Sequence, residues 1–272
     1  MIHNEDCLAT MERMEPDTID LVITSPPYAG KRTAQYVSPS PDVYVDWFME
    51  RAAGMRRVLR PAGSFILNIK EGAKNGERQA YVYELVLAMR SHGWMWVDEY
   101  VWHKTDPVPG YWPGRLKDGW ERCYHFAKKP GFKFNRDAVR VPLSPSARRD
   151  KSNPTPAQMV DRRIERSTSS GFGANRERLR NRDSALPSNV ISMPVAHTAS
   201  NGHPATFPAS LPSWFIRLLT DPGDIVYDPF MGSGTTARAA AALGRRWVGS
   251  EISAEYCRMA ESAGGGVQEV LG

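Results

Sequence analysis

Short apolar runs alternate with longer amphipathic stretches near both ends of the chain. Runs rich in β-branched and aromatic residues predict buried strands at 19–23, 64–69, 94–102, 121–127, 225–228 and 245–251. Apolar residues at helical spacing predict helices at 43–59, 81–89, 214–219, 236–243 and 254–263, and Pro61-Ala62-Gly63 ends the first of these. This alternation predicts an α/β fold whose mixed, mostly parallel sheet is covered by helices on both faces.

The middle of the chain has a different composition. Segment 129–202 has few long apolar runs and is rich in Arg, Ser, Asn and Pro, which predicts an irregular insertion. The chain is thereby divided into three parts, at 1–128, 129–202 and 203–272.

Positive charge is concentrated in that insertion. Residues 140–182 contain 11 Lys and Arg against 4 Asp and Glu, a net charge of +7, whereas the whole chain carries +5. The stretch is therefore a candidate phosphate-binding surface, and a solvated loop is the alternative.

Three features limit the class of protein. No apolar run reaches the roughly 18 residues that a transmembrane helix needs, and the N-terminus does not resemble a signal peptide. Cys7, Cys123 and Cys257 are far apart in the sequence, which disfavours a zinc site and disulfides. We therefore expect a cytoplasmic protein that binds neither a membrane nor a metal.

A glycine-rich loop follows the predicted strand 225–228 and reads D-P-F-M-G-S-G-T-T from Asp228. Its glycines let the backbone approach a ligand, and the following helix presents free N–H groups to an acidic group. Glu251 ends the next strand, near the spacing of about 20 residues at which an acid binds ribose hydroxyls in dinucleotide folds. A tight turn with an exposed acid is the alternative. An NAD site is disfavoured, because Ala237 replaces the third glycine of that fingerprint.

A second motif, Thr24-Ser25-Pro26-Pro27-Tyr28, ends the first predicted strand. The exocyclic amine of cytosine or adenine is a weak nucleophile, because its lone pair is delocalised into the ring. Hydrogen bonds from the amine to Ser25 Oγ and the Pro26 carbonyl would favour the tetrahedral geometry that attacks a methyl-sulfonium, and the prolines stiffen this acceptor pair. Tyr28 offers an aromatic face to a flipped base. Cytosine-C5 methylation needs a thiolate, and no cysteine lies nearby. A strand followed by a proline-rich turn with a core tyrosine is the structural alternative.

Together the two motifs resemble those of the DNA amino-methyltransferases, and their order resembles the β group of that family. The resemblance implies a Rossmann-like, S-adenosylmethionine-dependent methyltransferase fold with an irregular target-recognition insertion. It covers roughly 1–130 and 200–263, and it includes the flanking elements D-C-L at Asp6 and H-P-A-T-F-P at His203.

The resemblance also assigns site residues. The catalytic set is Ser25, Pro26, Pro27 and Tyr28. The S-adenosylmethionine-binding set is Asp6, Cys7, Thr24, Phe207, Asp228, Phe230, Gly232, Ser233, Gly234, Thr235 and Glu251. The candidates for contact with double-stranded DNA are Arg148, Arg149, Arg162, Arg163, Arg166, Arg176, Arg178, Arg180 and Arg182, mostly as phosphate contacts. A homodimer and a cognate restriction endonuclease are left open.

These observations favour a site-specific DNA methyltransferase that acts on cytosine N4, because a serine at position 25 is more typical of cytosine enzymes. Adenine-N6 methylation, for which D-P-P-Y is typical, is the nearest alternative. The motif order disfavours RNA and protein-glutamine enzymes. A non-catalytic DNA-binding module is disfavoured, because Tyr28, Gly232 and Gly234 are all present.

Overall fold

The computed structural model describes residues 1–30, 38–107, 114–143, 184–196 and 207–264. They form two compact units, Met1–Asn135 with Asn189–Gly272, and Arg136–Ser188. The strands are β1 (Ile2–His3), β2 (Ile19–Thr24), β3 (Leu59–Ile69), β4 (Ala73–Lys74), β5 (Glu77–Arg78), β6 (Met95–Lys104), β7 (Trp120–Ala127), β8 (Val141–Pro142), β9 (Ser184–Ala185), β10 (Val190–Met193), β11 (Ile225–Asp228) and β12 (Arg246–Ser250). The α-helices are α1 (Cys7–Arg13), α2 (Pro41–Val58), α3 (Tyr81–Ser91), α4 (Ser210–Leu219), α5 (Thr235–Ala242) and α6 (Ala254–Gly264).

The first unit contains an eight-stranded sheet in the order β1-β12-β11-β2-β3-β7-β6-β10. Among these strands only β7 is antiparallel to its neighbours, and every other pairing is parallel. The carboxyl ends of β2, β3, β6, β11 and β12 therefore share one edge of the sheet, and the first residue of β7 lies at that same edge.

Helices cover both faces of the sheet. Phe65 and Leu67 of β3 belong to the apolar core that α1, α2 and α3 form on one face. Ile66, between them in sequence, borders a small cavity with Leu211 and Phe215 of α4, so it points to the opposite face. All six residues of β2 are buried, as expected for a central strand of a two-sided α/β sheet.

Every helix and strand predicted from the pattern is present, although several bounds differ. The largest difference is at 59–63, where β3 begins in place of a separating turn. Leu59 pairs with Ile19 and Ser64 with Leu21, so the extra residues between them form an irregularity in the pairing. At Gly63 a Cβ atom would lie 2.8 Å from the Asp20 carbonyl oxygen, so the close approach of two backbones requires glycine there.

Five elements of the sheet unit were not predicted from the hydrophobic pattern. Strands β1, β4 and β5 have two residues each, β10 has four, and helix α1 has seven, so each is too short for its hydrophobic pattern to be distinctive. The predicted insertion 129–202 is described only in part, and β10 of that segment pairs with β6 of the main sheet. Its segments 144–183 and 197–202 lie outside the described residues.

The second unit is described at its two ends. A 3₁₀ turn at Arg136–Val139 precedes β8, which pairs antiparallel with β9. Arg140 links these parts, because its Nε donates to Ser184 Oγ at 2.7 Å and its Nη1 bonds Asp137 at 2.9 Å. No helix in the described ranges is both long and apolar enough to cross a membrane.

Candidate active site

The two sequence motifs meet at the carboxyl edge of the sheet. Thr24 ends β2 and Asp228 ends β11, and these strands are parallel neighbours. Thr24 Oγ1 donates a hydrogen bond of 2.6 Å to Asp228 Oδ1, although the two residues are 204 positions apart. The loop that starts at Ser25 and the loop that starts at Pro229 therefore leave the sheet side by side.

Asp228 organises the glycine-rich loop from within. Its carboxylate also accepts hydrogen bonds from Thr236 Oγ1 at 2.6 Å and from the Phe230 N–H at 3.0 Å. Burial raises the pKa of this carboxyl to about 6, although the three donors act in the opposite direction. Asp228 and Thr24 are almost completely buried, so their side chains hold the loop in shape.

One glycine of the loop brings a backbone donor to Glu251. The Gly232 N–H donates to Glu251 Oε2 at 2.9 Å, and the Ser253 N–H donates to Oε1 at 2.8 Å. Burial raises the pKa of Glu251, and the backbone donors partly offset that effect. Gly234 precedes α5 with φ +87°, and a Cβ there would lie 2.7 Å from Ala260 Cα. The loop therefore needs glycine both for its backbone conformation and for close packing against α6.

Ser233 and Thr235 of the loop are both buried and both bonded to one arginine. Arg238 Nη1 donates to the Ser233 carbonyl at 2.8 Å, and Arg238 Nη2 donates to Thr235 Oγ1 at 3.1 Å. These bonds fasten the first turn of α5 to the loop that precedes it.

Aromatic side chains of α2 and of the glycine-rich loop pack against each other. The rings of Phe230 and Trp47 are 5.7 Å apart, and the Arg51 guanidinium lies 4.3 Å from the centre of the Trp47 ring. Arg51 also donates to Asp6 Oδ2 at 2.8 Å, while Asp6 Oδ1 accepts from the Leu8 N–H and caps α1. Trp47 and Arg51 were not predicted as site residues, because helical spacing places them on α2 without showing what that helix packs against.

Cys7, the first residue of α1, is buried next to Asp6. Burial raises the pKa of its thiol to about 12, so the thiol is uncharged at neutral pH and serves as a packing group.

The catalytic loop is fixed from two sides. Tyr44 of α2 donates its hydroxyl proton to the Pro27 carbonyl at 2.8 Å, and Ser38 Oγ donates to the Tyr28 carbonyl at 2.7 Å. The two prolines restrict the backbone further, so residues 25–28 are rigidly presented at the end of β2.

The Tyr28 side chain reaches strand β7. Its hydroxyl donates to Glu121 Oε2 at 2.9 Å and accepts a long hydrogen bond of 3.4 Å from Ser25 Oγ. Lys104 Nζ lies 2.6 Å from Glu121 Oε1, and Asn68 Nδ2 lies 3.4 Å from Oε2. Burial and the Glu121 charge raise the pKa of Tyr28 well above its usual value. Glu121, Lys104 and Asn68 were not predicted as site residues. For Glu121 the available signal was an acidic side chain at the start of the mainly apolar strand predicted at 121–127.

The expectation that no cysteine lies near the catalytic motif is wrong for the folded chain. Asn68 Nδ2, which contacts Glu121, also lies 3.6 Å from Cys123 Sγ. The Asn68 side chain therefore connects this thiol to Glu121, the hydrogen-bond partner of Tyr28. The antiparallel pairing of β7 with β3 sets Cys123 directly opposite Asn68. Burial raises the pKa of the Cys123 thiol far above neutrality, so it does not supply the thiolate that C5 chemistry needs.

Phe207 lies on the α4 side of the sheet. Its side chain borders a small cavity together with Ile23, Asn68 and Cys123, so it lies near the carboxyl end of β2, and its role in binding the cofactor stays a prediction. The nine arginines predicted to contact DNA lie in 144–183, outside the described residues. Within the part of the chain that the structure describes, no group of three or more His, Cys, Asp or Glu side chains is arranged to hold a metal ion.

Comparison with known proteins identifies the class. Residues 19–262 match the family model described as DNA methylase, which covers the N6 and N4 methyltransferases. The type II methyltransferase M.PvuII of Proteus hauseri is 29% identical over 273 residues, covering 92% of this chain and 79% of that protein. The DNA adenine methyltransferase YhdJ of Escherichia coli K12 is 28% identical over 267 residues, covering 95% of this chain and 80% of that protein.

Solved structures agree on the fold. The PvuII DNA methyltransferase, described as cytosine-N4-specific, superposes with a TM-score of 0.72 at 24% identity, covering 96% of this chain and 84% of that one. A candidate DNA modification methylase from Thermus thermophilus, in complex with S-adenosyl-L-methionine, gives a TM-score of 0.62 at 22% identity, covering 96% and 91%.

The chain belongs to the DNA methylase family of N6 and N4 amino-methyltransferases. The expected α/β methyltransferase fold with a mixed, mostly parallel sheet is confirmed by the strand order and by the match to the PvuII enzyme.

Proposed function

We propose that this protein is a site-specific DNA methyltransferase that transfers a methyl group from S-adenosylmethionine to the N4 amine of a flipped cytosine. The observation that carries the proposal is the hydrogen bond between Thr24 and Asp228. It holds a loop suited to binding the methyl donor beside a loop suited to accepting hydrogen bonds from an amine.

The loop that starts at Asp228 fits S-adenosylmethionine. Each Glu251 oxygen accepts one backbone N–H, which leaves further lone pairs on the carboxylate for ribose hydroxyls. Phe230 and Trp47 offer apolar ring surface to the adenine, next to Asp6. When bound, the cofactor supplies a methyl group on a positively charged sulfur.

The chain's own residues would prepare the target amine. Ser25 Oγ and the Pro26 carbonyl accept hydrogen bonds from the amine N–H groups, which directs the nitrogen lone pair toward the methyl donor. Tyr28 stacks on the flipped base, and its carbonyl and that of Pro27 are already held by Ser38 and Tyr44. This preorganisation means that little motion is needed when the base arrives.

Cytosine N4 is favoured by two observations. Ser25 is a hydroxyl acceptor where a carboxylate is more typical of adenine enzymes, and M.PvuII, which matches 92% of this chain, is described as cytosine-N4-specific in its solved structure. Adenine N6 is the second candidate, because YhdJ is named as an adenine methyltransferase and is similar over 95% of this chain. The name type II methyltransferase for M.PvuII supports a restriction–modification role with a partner endonuclease.

Nucleoside analysis tests the proposal. Double-stranded DNA is incubated with the protein and labelled S-adenosylmethionine, digested, and resolved by mass spectrometry. We expect N4-methylcytosine in wild-type reactions and none with Tyr28→Ala, while Tyr83→Ala, which changes a tyrosine 47% exposed on α3, stays active. N6-methyladenine would select the second candidate, and 5-methylcytosine alone would overturn both.

A further inference from the structure

Three hydrogen-bond donors surround the Glu121 carboxylate. Oε1 accepts from Lys104 Nζ at 2.6 Å, and Oε2 accepts from the Tyr28 hydroxyl at 2.9 Å and from Asn68 Nδ2 at 3.4 Å. The Glu121 side chain is 11% exposed and that of Lys104 is 15% exposed, so the ammonium compensates a largely buried carboxylate. This arrangement suits an ionised glutamate, which can accept hydrogen bonds but cannot donate them.

Because the ionised Glu121 carboxylate can only accept hydrogen bonds, it determines where the protons of the neighbouring hydroxyl groups point. Because Glu121 only accepts, the Tyr28 O–H points at Glu121 and the phenolic oxygen faces Ser25 with its lone pairs. The Ser25 proton then points at Tyr28, along the contact of 3.4 Å between their oxygens. Such contacts are often long before substrate binds and shorten in the reactive complex.

The hydroxyl group of a serine at position 25 must be oriented by its neighbours, whereas a carboxylate at that position would not need to be. An ionised aspartate has lone pairs alone, but a serine hydroxyl rotates and can donate as well as accept. If the Ser25 proton pointed at the target amine, it would meet a group that must itself donate, and the amine lone pair would be drawn away from the methyl donor.

We propose that Glu121 is a positioning residue that acts through Tyr28 to keep the lone pairs of Ser25 facing the target amine. This inference rests on the proposed function, and it assigns Glu121, with Lys104 as its charge partner, to the machinery of amine methylation. Glu121 acts on the base only through Tyr28 and Ser25 and does not touch it.

The chain offers a matched control on the next strand. Glu99 of β6 also forms an ion pair in the sheet unit, with Arg122 Nε at 2.8 Å, and its side chain is 36% exposed. Strand pairing sets Glu99 opposite Tyr124, while the donors around Glu121 include Tyr28. Replacing either glutamate by glutamine removes one charge and keeps the side-chain volume.

The test is single-turnover methyl transfer with saturating S-adenosylmethionine and DNA. We expect Glu121→Gln to slow the methyl-transfer rate constant by about 10- to 100-fold, the size of effect that misplacement of a reacting group produces. Dissociation constants for cofactor and DNA should remain within about twofold of wild type, and Glu99→Gln should keep the wild-type rate. A purely structural role for Glu121 would weaken binding and rate together.

A double-mutant cycle tests the route through Tyr28. Tyr28→Phe keeps the ring and removes the hydroxyl, so its loss of rate and that of Glu121→Gln should not add in the double variant. Additive losses, or a Glu121→Gln enzyme at the wild-type rate, would overturn this inference and leave the proposed function intact. A wild-type protein that methylates no exocyclic amine would overturn the proposed function itself.

Discussion

Gly234 immediately precedes helix α5 in a backbone conformation, φ +87°, that residues with a Cβ rarely adopt. Gly76, in the hairpin between β4 and β5, has nearly the same angle, φ +84°, but nothing lies within 4 Å of the position of its missing Cβ. A Cβ at either position would be strained by the positive φ, but of this pair only a Cβ at Gly234 would also collide with the backbone of α6. Comparing the two positions therefore separates the effect of backbone conformation from the effect of packing.

We expect Gly234→Ala to lower the free energy of unfolding by about 1–3 kcal/mol more than Gly76→Ala, because overpacking adds to the conformational cost. S-adenosylmethionine affinity should fall only in the Gly234 variant. Urea unfolding and titration calorimetry measure both effects. Equal destabilisation by the two substitutions would show that contact with α6 contributes nothing.

Asp228 gives the protein a specific pH dependence. Its folded-state pKa of about 6 lies above the ordinary carboxyl value of 3.8, so the folded chain binds this proton more tightly than the unfolded chain does. The contribution of Asp228 to stability therefore increases as pH falls from 7 towards 4, and it is lost as pH rises through about 6.

The difference in unfolding free energy between wild type and Asp228→Asn should accordingly shift in favour of wild type by about 2–3 kcal/mol between pH 7 and pH 4. Buried His125, whose pKa is lowered to about 4, has the opposite dependence in this window, but it is present in both proteins and cancels. Urea unfolding at several pH values measures the difference. A difference that stays constant with pH would contradict the shifted pKa.

At the scale of elements, helix α2 joins the two halves of the site. Tyr44 holds the catalytic loop through the Pro27 carbonyl, and one turn later Trp47 meets Phe230 of the glycine-rich loop. The helical pattern predicted α2, but its role depends on which loops reach its amino-terminal turns. Those contacts span residues from distant parts of the chain and have no local signature.

Replacing Trp47 by leucine should weaken S-adenosylmethionine binding by about 5- to 10-fold, which corresponds to the loss of an aromatic contact of roughly 1 kcal/mol. Trp96→Leu is the matched control, because Trp96 lies on β6 and is 40% exposed. Titration calorimetry with the cofactor alone distinguishes them. Unchanged affinity in the Trp47 variant would show that the adenine lies elsewhere.

At the scale of the whole molecule, charge is divided between a basic insertion and a remainder that is slightly acidic. If the insertion binds DNA phosphates, replacing Arg176, Arg178, Arg180 and Arg182 by Gln should reduce the salt dependence of DNA binding. The slope of log K against log salt should decrease by about 0.9 for each phosphate that the variant no longer neutralises.

The matched control removes the same charge from exposed positions of the sheet unit, at Lys74, Arg90, Arg246 and Arg258. The two quadruple variants are compared by measuring their binding to duplex DNA at several salt concentrations with fluorescence anisotropy. Equal changes in slope would show that net charge, and not the insertion, governs DNA binding.

The sequence by itself determined the local parts of this protein. Strands and helices follow from hydrophobic period, and the loops at Thr24 and Asp228 follow from residues a few positions apart, because those signals lie within one element or turn. The family assignment rests on these same local motifs and is confirmed.

Only the tertiary structure decided which side chains meet. Strand order places β2 beside β11 and brings the start of β7 to their shared edge, so Thr24 reaches Asp228 and Tyr28 reaches Glu121. The same packing buries Cys123 beside Asn68 and lifts its pKa, which corrected the view that no thiol lies near the site. Contacts between residues about 100 or 200 positions apart depend on sheet order, which hydrophobic period does not encode.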